Sequence, residues 1–147
     1  MAHLHKSNAS LRISGDALVP EDISKALGGP PTLSYIKGEA HSPAHNTVTR
    51  KTGLWLREAA QRQPEDMDGQ IAEILGKLSQ DLTVWRHLSA TYEIDLFCGL
   101  FMAETDEGVE ISTDSLNMLG QRGIKFGFCV YAPAPSYDSI IARRARS

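Results

Sequence analysis

The chain has 147 residues, of which 41% are hydrophobic and 22% charged, and a formal net charge of -3 from 15 basic and 18 acidic side chains. That length suits one domain, and a globule of this size buries roughly 68–70% of its unfolded surface, so its core needs no staple. The near-balanced charge argues against a nucleic-acid or membrane-surface field, and no apolar run approaches the ~20 residues of a membrane span.

Residues 1–8 read as a flexible start without the apolar stretch of a signal peptide, so a cytoplasmic location is expected. A first strand is predicted over Ala9 to Gly15. A short helix follows from Val19 to Leu27, with Pro20 at its first position, where a missing N–H costs nothing. Glu21 and Asp22 complement the dipole of its first turn. Ile23, Ala26 and Leu27 form its inward stripe, and Gly28 fits the left-handed position that ends helices. Thr32 to Lys37 is a second strand. Gly38 to Lys51 is polar and almost free of large apolar side chains, so it reads as an exposed loop of the kind that carries function. Thr52 to Glu58 is a third strand, with Leu54 and Leu56 on one face and Trp55 on the other.

One long amphipathic helix is predicted from Asp66 to His87. Met67, Ile71, Ile74, Leu75, Leu78 and Leu82 form its apolar stripe, while Glu73, Lys77, Gln80 and Asp81 occupy the solvent face. Tyr92 to Ala103 is apolar on both faces over much of its length and reads as a central strand. Val109 to Ile111 is a further short strand, Ser112 caps a helix from Thr113 to Gln121, and Ile124 to Tyr131 is the last strand. Pro133 and Pro135 end the domain, leaving residues 134–147 as a flexible tail.

The expected fold is thus one α+β domain over residues 9–133. It has a mixed, largely antiparallel sheet of five or six strands, one long and two short helices, and two β-α-β units that suggest internal duplication. Cys98 and Cys129 lie in apolar runs and are expected as buried, reduced thiols, although sequence alone leaves their pairing open.

Three stretches, GDALVPEDISKALGGPPTLSYIKGE from Gly15, TGLWLRE from Thr52 and EISTDSLNMLGQRGIKFGFCVY from Glu110, resemble a bacterial family catalogued as domain of unknown function 4279. The resemblance implies a compact α+β fold and carries no activity or catalytic positions.

No GxGxxG or Walker loop is present, so no cofactor is expected. His41 and His45 have helical metal-ligand spacing but lie in a Pro-containing loop without a third ligand, so no metal is expected there either. Pairing of the second and third strands would gather Lys37, Glu39, Arg50, Lys51, Trp55 and Arg57 along one sheet edge beside that loop. A Trp flanked by cations can stack and pair with a planar anionic ligand or a partner loop. The reading is a non-enzymatic binding or interaction domain with a protein partner. The alternative is a small enzyme or small-ligand sensor using a pocket between Trp55, the 38–51 loop and the sheet.

Overall fold

The computed structural model describes residues 4–42 and 46–133. Strand β1 (Lys6–Gly15) starts three residues before its expected position, and Leu4 ahead of it is buried, so residues 4–8 belong to the fold. Helix α1 (Pro20–Leu27) matches the sequence pattern at both ends. Pro20 is in its first turn, and Gly28 adopts φ 77° while its N–H bonds the Ser24 carbonyl. Ile23 and Leu27 are buried, whereas Ala26, expected inside, is exposed. The apolar stripe is only two residues wide at this end, and Ala26 falls outside it.

Strand β2 (Leu33–Tyr35) pairs antiparallel with β5 (Gly53–Glu58), which supplies the pairing that the sequence left as a condition. Between them the 38–51 segment is not a structureless loop. Strands β3 (Ala40–His41) and β4 (Val48–Thr49) form a small antiparallel ladder there. Polar and β-branched residues can pair backbone to backbone without burying side chains, which is why hydropathy did not reveal it.

The long helix is two helices, α2 (Met67–Leu75) and α3 (Leu82–Thr91). The stripe is real, since Met67, Ile71, Ile74, Leu75 and Leu78 are all buried. The break has specific causes. Gly76 closes α2, and Asp81 caps α3 by accepting the Thr83 N–H at 2.9 Å. Gln80 turns back, its amide donating to the carbonyls of Leu75 and Leu78 at 2.9 Å each. The Leu75 carbonyl, in the last turn of α2, also accepts the Leu78 N–H at 3.2 Å, so the turn at Gln80 takes up a carbonyl that the helix itself does not use.

Strand β6 (Glu93–Phe101) lies inside the sheet, helix α4 (Thr113–Gln121) follows, and β7 (Lys125–Tyr131) closes the fold. The expected strand at Val109 to Ile111 is absent; Val109 and Ile111 instead pack on the core from the connection before α4. A run of three residues can present alternating apolar side chains without a neighbouring strand.

The five-stranded sheet has the order β2-β5-β1-β6-β7. All its pairings are antiparallel except β6 with β7, which is parallel. The fold is therefore α+β with a mixed sheet. Its β-α-β units are β1-α1-β2, with β5 between the two strands, and β6-α4-β7, whose strands are neighbours. That difference gives no support to internal duplication.

Alternate strand residues point to opposite faces. Ala9, Leu11 and Ile13 of β1, Trp55 of β5, and Ile94, Leu96, Cys98 and Leu100 of β6 face the helices and form one core with them. Trp55 Nε1 donates to Ser24 Oγ of α1 at 3.0 Å, and Trp85 Nε1 of α3 donates to the Ser79 carbonyl at 2.7 Å. A buried polar knot joins β1 to α2: Ser7 Oγ donates to Gln70 Oε1 at 2.7 Å, and the Gln70 amide donates to the carbonyls of Ser7 and Ala60 at 2.9 and 3.0 Å. Glu73 extends it by accepting from the Ala60 N–H and from Arg62 at 2.7 and 2.6 Å. Its carboxylate is structural rather than idle on a solvent face.

Ile74→Ala should lower unfolding free energy by about 2–5 kcal/mol in denaturant titrations, because the side chain is fully enclosed. Glu73→Gln should cost about 1 kcal/mol at neutral pH, the value of a charged hydrogen bond discounted for partial exposure. The Ala60 N–H, followed by Arg62, holds the Glu73 carboxyl below its ordinary range. Its contribution is therefore present above the unfolded carboxyl range, near 4.3, and is lost as pH falls through the folded value. The Gln variant should flatten that part of the stability-pH profile; an unchanged profile would mean that Glu73 is not ionically engaged.

Candidate functional site

Among the described residues no helix covers the other face of the sheet. Lys6, Ser10, Arg12 and Ser14 of β1 stand there beside Asp95, Phe97 and Phe101 of β6, because those residues pair across the ladder. Leu54 and Leu56 of β5 face the same way and oppose Tyr35 and Leu33 of β2. On the far side Tyr131 of β7 pairs with Phe101.

The side chains on this face are organised. Arg12 donates Nε and Nη2 to the two Asp95 carboxylate oxygens at 2.8 and 2.5 Å, a bidentate pair. Its guanidinium also lies 4.6 Å from the centre of the Phe97 ring. The Asp95 contact raises the Arg12 pKa further. Lys6 Nζ sits 4.3 Å over the Phe101 ring, which stacks on Tyr131 with centroids 4.7 Å apart and planes 14° apart. At the opposite edge the Arg50 guanidinium lies 4.0 Å over Tyr35. Three cations are thus laid on aromatic rings across one face, a contact worth ~0.5–1 kcal/mol when exposed and more when water is removed.

Recesses lie between these groups. One of about 430 Å³ is bounded by Ser10, Glu58, Phe97, Phe101 and Tyr131. A second, of about 300 Å³, is bounded by Arg12, Tyr35, Leu54, Leu56, Asp95 and Lys125. A smaller one of about 170 Å³ lies between Tyr35, Glu39, His41 and Arg50.

The residues singled out from sequence divide between surfaces. Glu39, His41 and Arg50 meet around the small recess. The β3-β4 ladder brings them there, since the Gly38 N–H bonds the Arg50 carbonyl and the Arg50 N–H bonds the Glu39 carbonyl at 2.8 and 2.9 Å. Lys37 is paired with Asp16 at 3.1 Å, and with Thr52 it holds that carboxyl below its usual range. Lys51 is exposed beside the ladder, and His45 lies outside the described residues. Trp55 and Arg57 point the other way. Trp55 is 0% exposed. Arg57 donates to the Pro30 carbonyl at 2.9 Å beyond the end of α1. The ring that receives Arg50 is Tyr35, the outward-facing neighbour of the strand pair, and not Trp55.

Arg12, Asp95, Phe97, Phe101 and Tyr131 were missed. A signal for some of them exists in the sequence. Lys6, Asn8, Ser10, Arg12 and Ser14 alternate with Ser7, Ala9, Leu11 and Ile13, which marks a strand wet on one side. Among the described residues no group of three or more His, Cys, Asp or Glu side chains is placed to hold a metal ion. No helix among the described residues is long and apolar enough to cross a membrane.

The two cysteines are free and differ. Cys98 is buried, and burial together with the Asp95 charge pushes its thiol up to about 12. Cys129, expected to be buried, is exposed because β7 is the sheet's outer strand and nothing flanks it there among the described residues. They sit on adjacent strands in staggered positions, Cys98 opposite Phe128 and Cys129 opposite Gly99, and so face opposite sides of the sheet.

The family model described as Domain of unknown function (DUF4279) matches residues 5–133, and the chain belongs to that family. No curated protein and no solved structure matches the chain.

A maleimide titration of native protein should label Cys129 promptly, with Cys98 reacting only after unfolding. Equal labelling of both thiols under native conditions would contradict the placement of Cys98 and Cys129 on opposite faces of the sheet.

Proposed function

We propose that this domain is a non-enzymatic binding module of a bacterial cytoplasmic protein, and that it takes a protein partner on the sheet face opposite its helices. The observation that carries the reading is the set of cation-aromatic pairs on that face: Lys6 with Phe101, Arg12 with Phe97 and Arg50 with Tyr35. Aromatic residues and Arg are the residue types that dominate interface energetics. They are arranged here with exposed Leu33 and half-buried Leu54 and Leu56 between them. Arg12 already has its carboxylate in Asp95. Among the described residues Lys6 and Arg50 have none within ion-pair distance. The partner that fits therefore presents carboxylates at two separated points flanking an apolar patch. Two unpaired thiols, one of them exposed, suit a reducing compartment.

A second reading, a small-ligand sensor or small enzyme, is favoured by the small recess, where Glu39, His41, Arg50 and Tyr35 converge. Trp55 takes no part in it, being enclosed in the core.

The readings separate by experiment. Immobilised protein is exposed to native lysate, and captured proteins are quantified for wild type, Lys6→Glu, Arg50→Glu and, on the helix side, Lys77→Glu. Each face variant should reduce capture about tenfold or more, a loss of about 1.4 kcal/mol, while Lys77→Glu leaves it unchanged. Retention of every partner by both face variants would refute the protein-binding surface. A small molecule retained by wild type and lost only in Arg50→Glu would establish the second reading.

A further inference from the structure

The two edges of the sheet are unlike. On one side β2 has three residues and follows Pro30 and Pro31 closely. On the other, β7 has seven residues without proline, and its register against β6 runs unbroken from Lys125 to Tyr131. Its only charge is Lys125, at one end. Natural sheets usually blunt a long apolar edge with charges, proline or a bulge, because its unpaired N–H and C=O groups template further pairing. Here Phe128, Val130 and Tyr131 are 53%, 51% and 47% exposed.

We propose that β7 pairs antiparallel with β7 of a second copy of this chain, joining two sheets edge to edge about a two-fold axis at Phe128. The backbone sets the register. The Met102 N–H donates to the Tyr131 carbonyl at 3.0 Å, so Tyr131 turns its peptide groups towards β6. Strand alternation then directs those of Lys125, Gly127 and Cys129 the same way and those of Phe126, Phe128 and Val130 outwards. An antiparallel pair exchanges both hydrogen bonds at alternate residues. Centring on Phe128 places all three outward residues at such positions and overlaps the whole strand; moving the centre by one residue shortens the overlap.

The side chains agree with this register. On the helix side Phe128 meets Phe128 of the second copy, and Phe126 meets Val130, apolar against apolar at every position. On the other side Lys125 faces Tyr131, a cation beside a ring, and Gly127 faces Cys129. Lys125 is not set against itself, as an isologous contact requires of a lone charge. This self-complementarity selects a second copy over an unrelated peptide.

The chain's mass in solution tests the proposal. Sedimentation velocity should give twice the 16.1 kDa of one chain. Phe128→Pro removes an outward N–H that β6 does not use, a substitution that an edge strand tolerates. It should therefore give a folded monomer, as should Phe128→Lys, which sets two like charges on the axis. A Cβ at Gly127 would meet nothing within 4 Å. Gly127→Cys should thus leave the fold intact and form covalent dimers with the opposing Cys129 under mild copper-phenanthroline oxidation, while wild type forms none. A monomeric wild type, a dimer that survives both Phe128 variants, or a dimer in which Gly127→Cys does not cross-link would each overturn the proposal.

Discussion

Strand residues alternate between two faces, and among the described residues the helices occupy only one of them. Nearly everything else follows from that. Leu11, Ile13, Trp55, Leu96 and Cys98 are drawn into the helix layer with Ile71, Ile74 and Trp85. At ~25 cal/mol per Å² of apolar surface removed from water, this one-sided burial supplies most of the drive to fold. Their neighbours in sequence are forced to the other face whatever their chemistry. That face then has to be made compatible with water. Arg12 bridging to Asp95 and covering Phe97 achieves this in the middle of the sheet, and Lys6 over Phe101 does so towards β7. The same devices leave aromatic area available to a partner, because a cation laid on a ring can be displaced or shared.

The elements with strong local signals were legible in the sequence. Pro20, the acidic first turn and Gly28 bracket α1, and Ser112 caps α4 by accepting the Ser115 N–H at 3.1 Å. The strands β2 and β5 were legible as runs, while their antiparallel pairing was only one option. The break between α2 and α3 was not, because the buried stripe continues through Leu78 while the chain leaves the helix. Gly76 at the end of α2, with the side chains of Gln80 and Asp81, which hydrogen-bond backbone in place of the helix, distinguishes the two cases. A period-3.6 pattern reports which residues are buried and not whether the backbone between them is continuous.

The candidate site shows the same division. Alternation correctly set Leu54 and Leu56 apart from Trp55. It could not say which side the helices would take, and the tryptophan invited the wrong choice as a surface ligand group. Arg50 does lie on an aromatic ring, as a cation beside a Trp would suggest, but that ring belongs to Tyr35. Cys129 was misplaced for a related reason. Its run is as apolar as that of Cys98, yet among the described residues β6 has strands on both sides and β7 on one. Strand order depends on long-range pairing, which no local window contains.

Hydroxyl-radical footprinting of the free protein, resolved to single side chains, tests the one-sided architecture most directly. The account predicts strong modification of Tyr35, Phe97, Phe101 and Tyr131 and protection of Trp55 and Trp85, although tryptophan is intrinsically among the most reactive of these rings. Modification of Trp55 at a rate matching that of Tyr131 would contradict it, since the helices would then not cover the face on which the core is built.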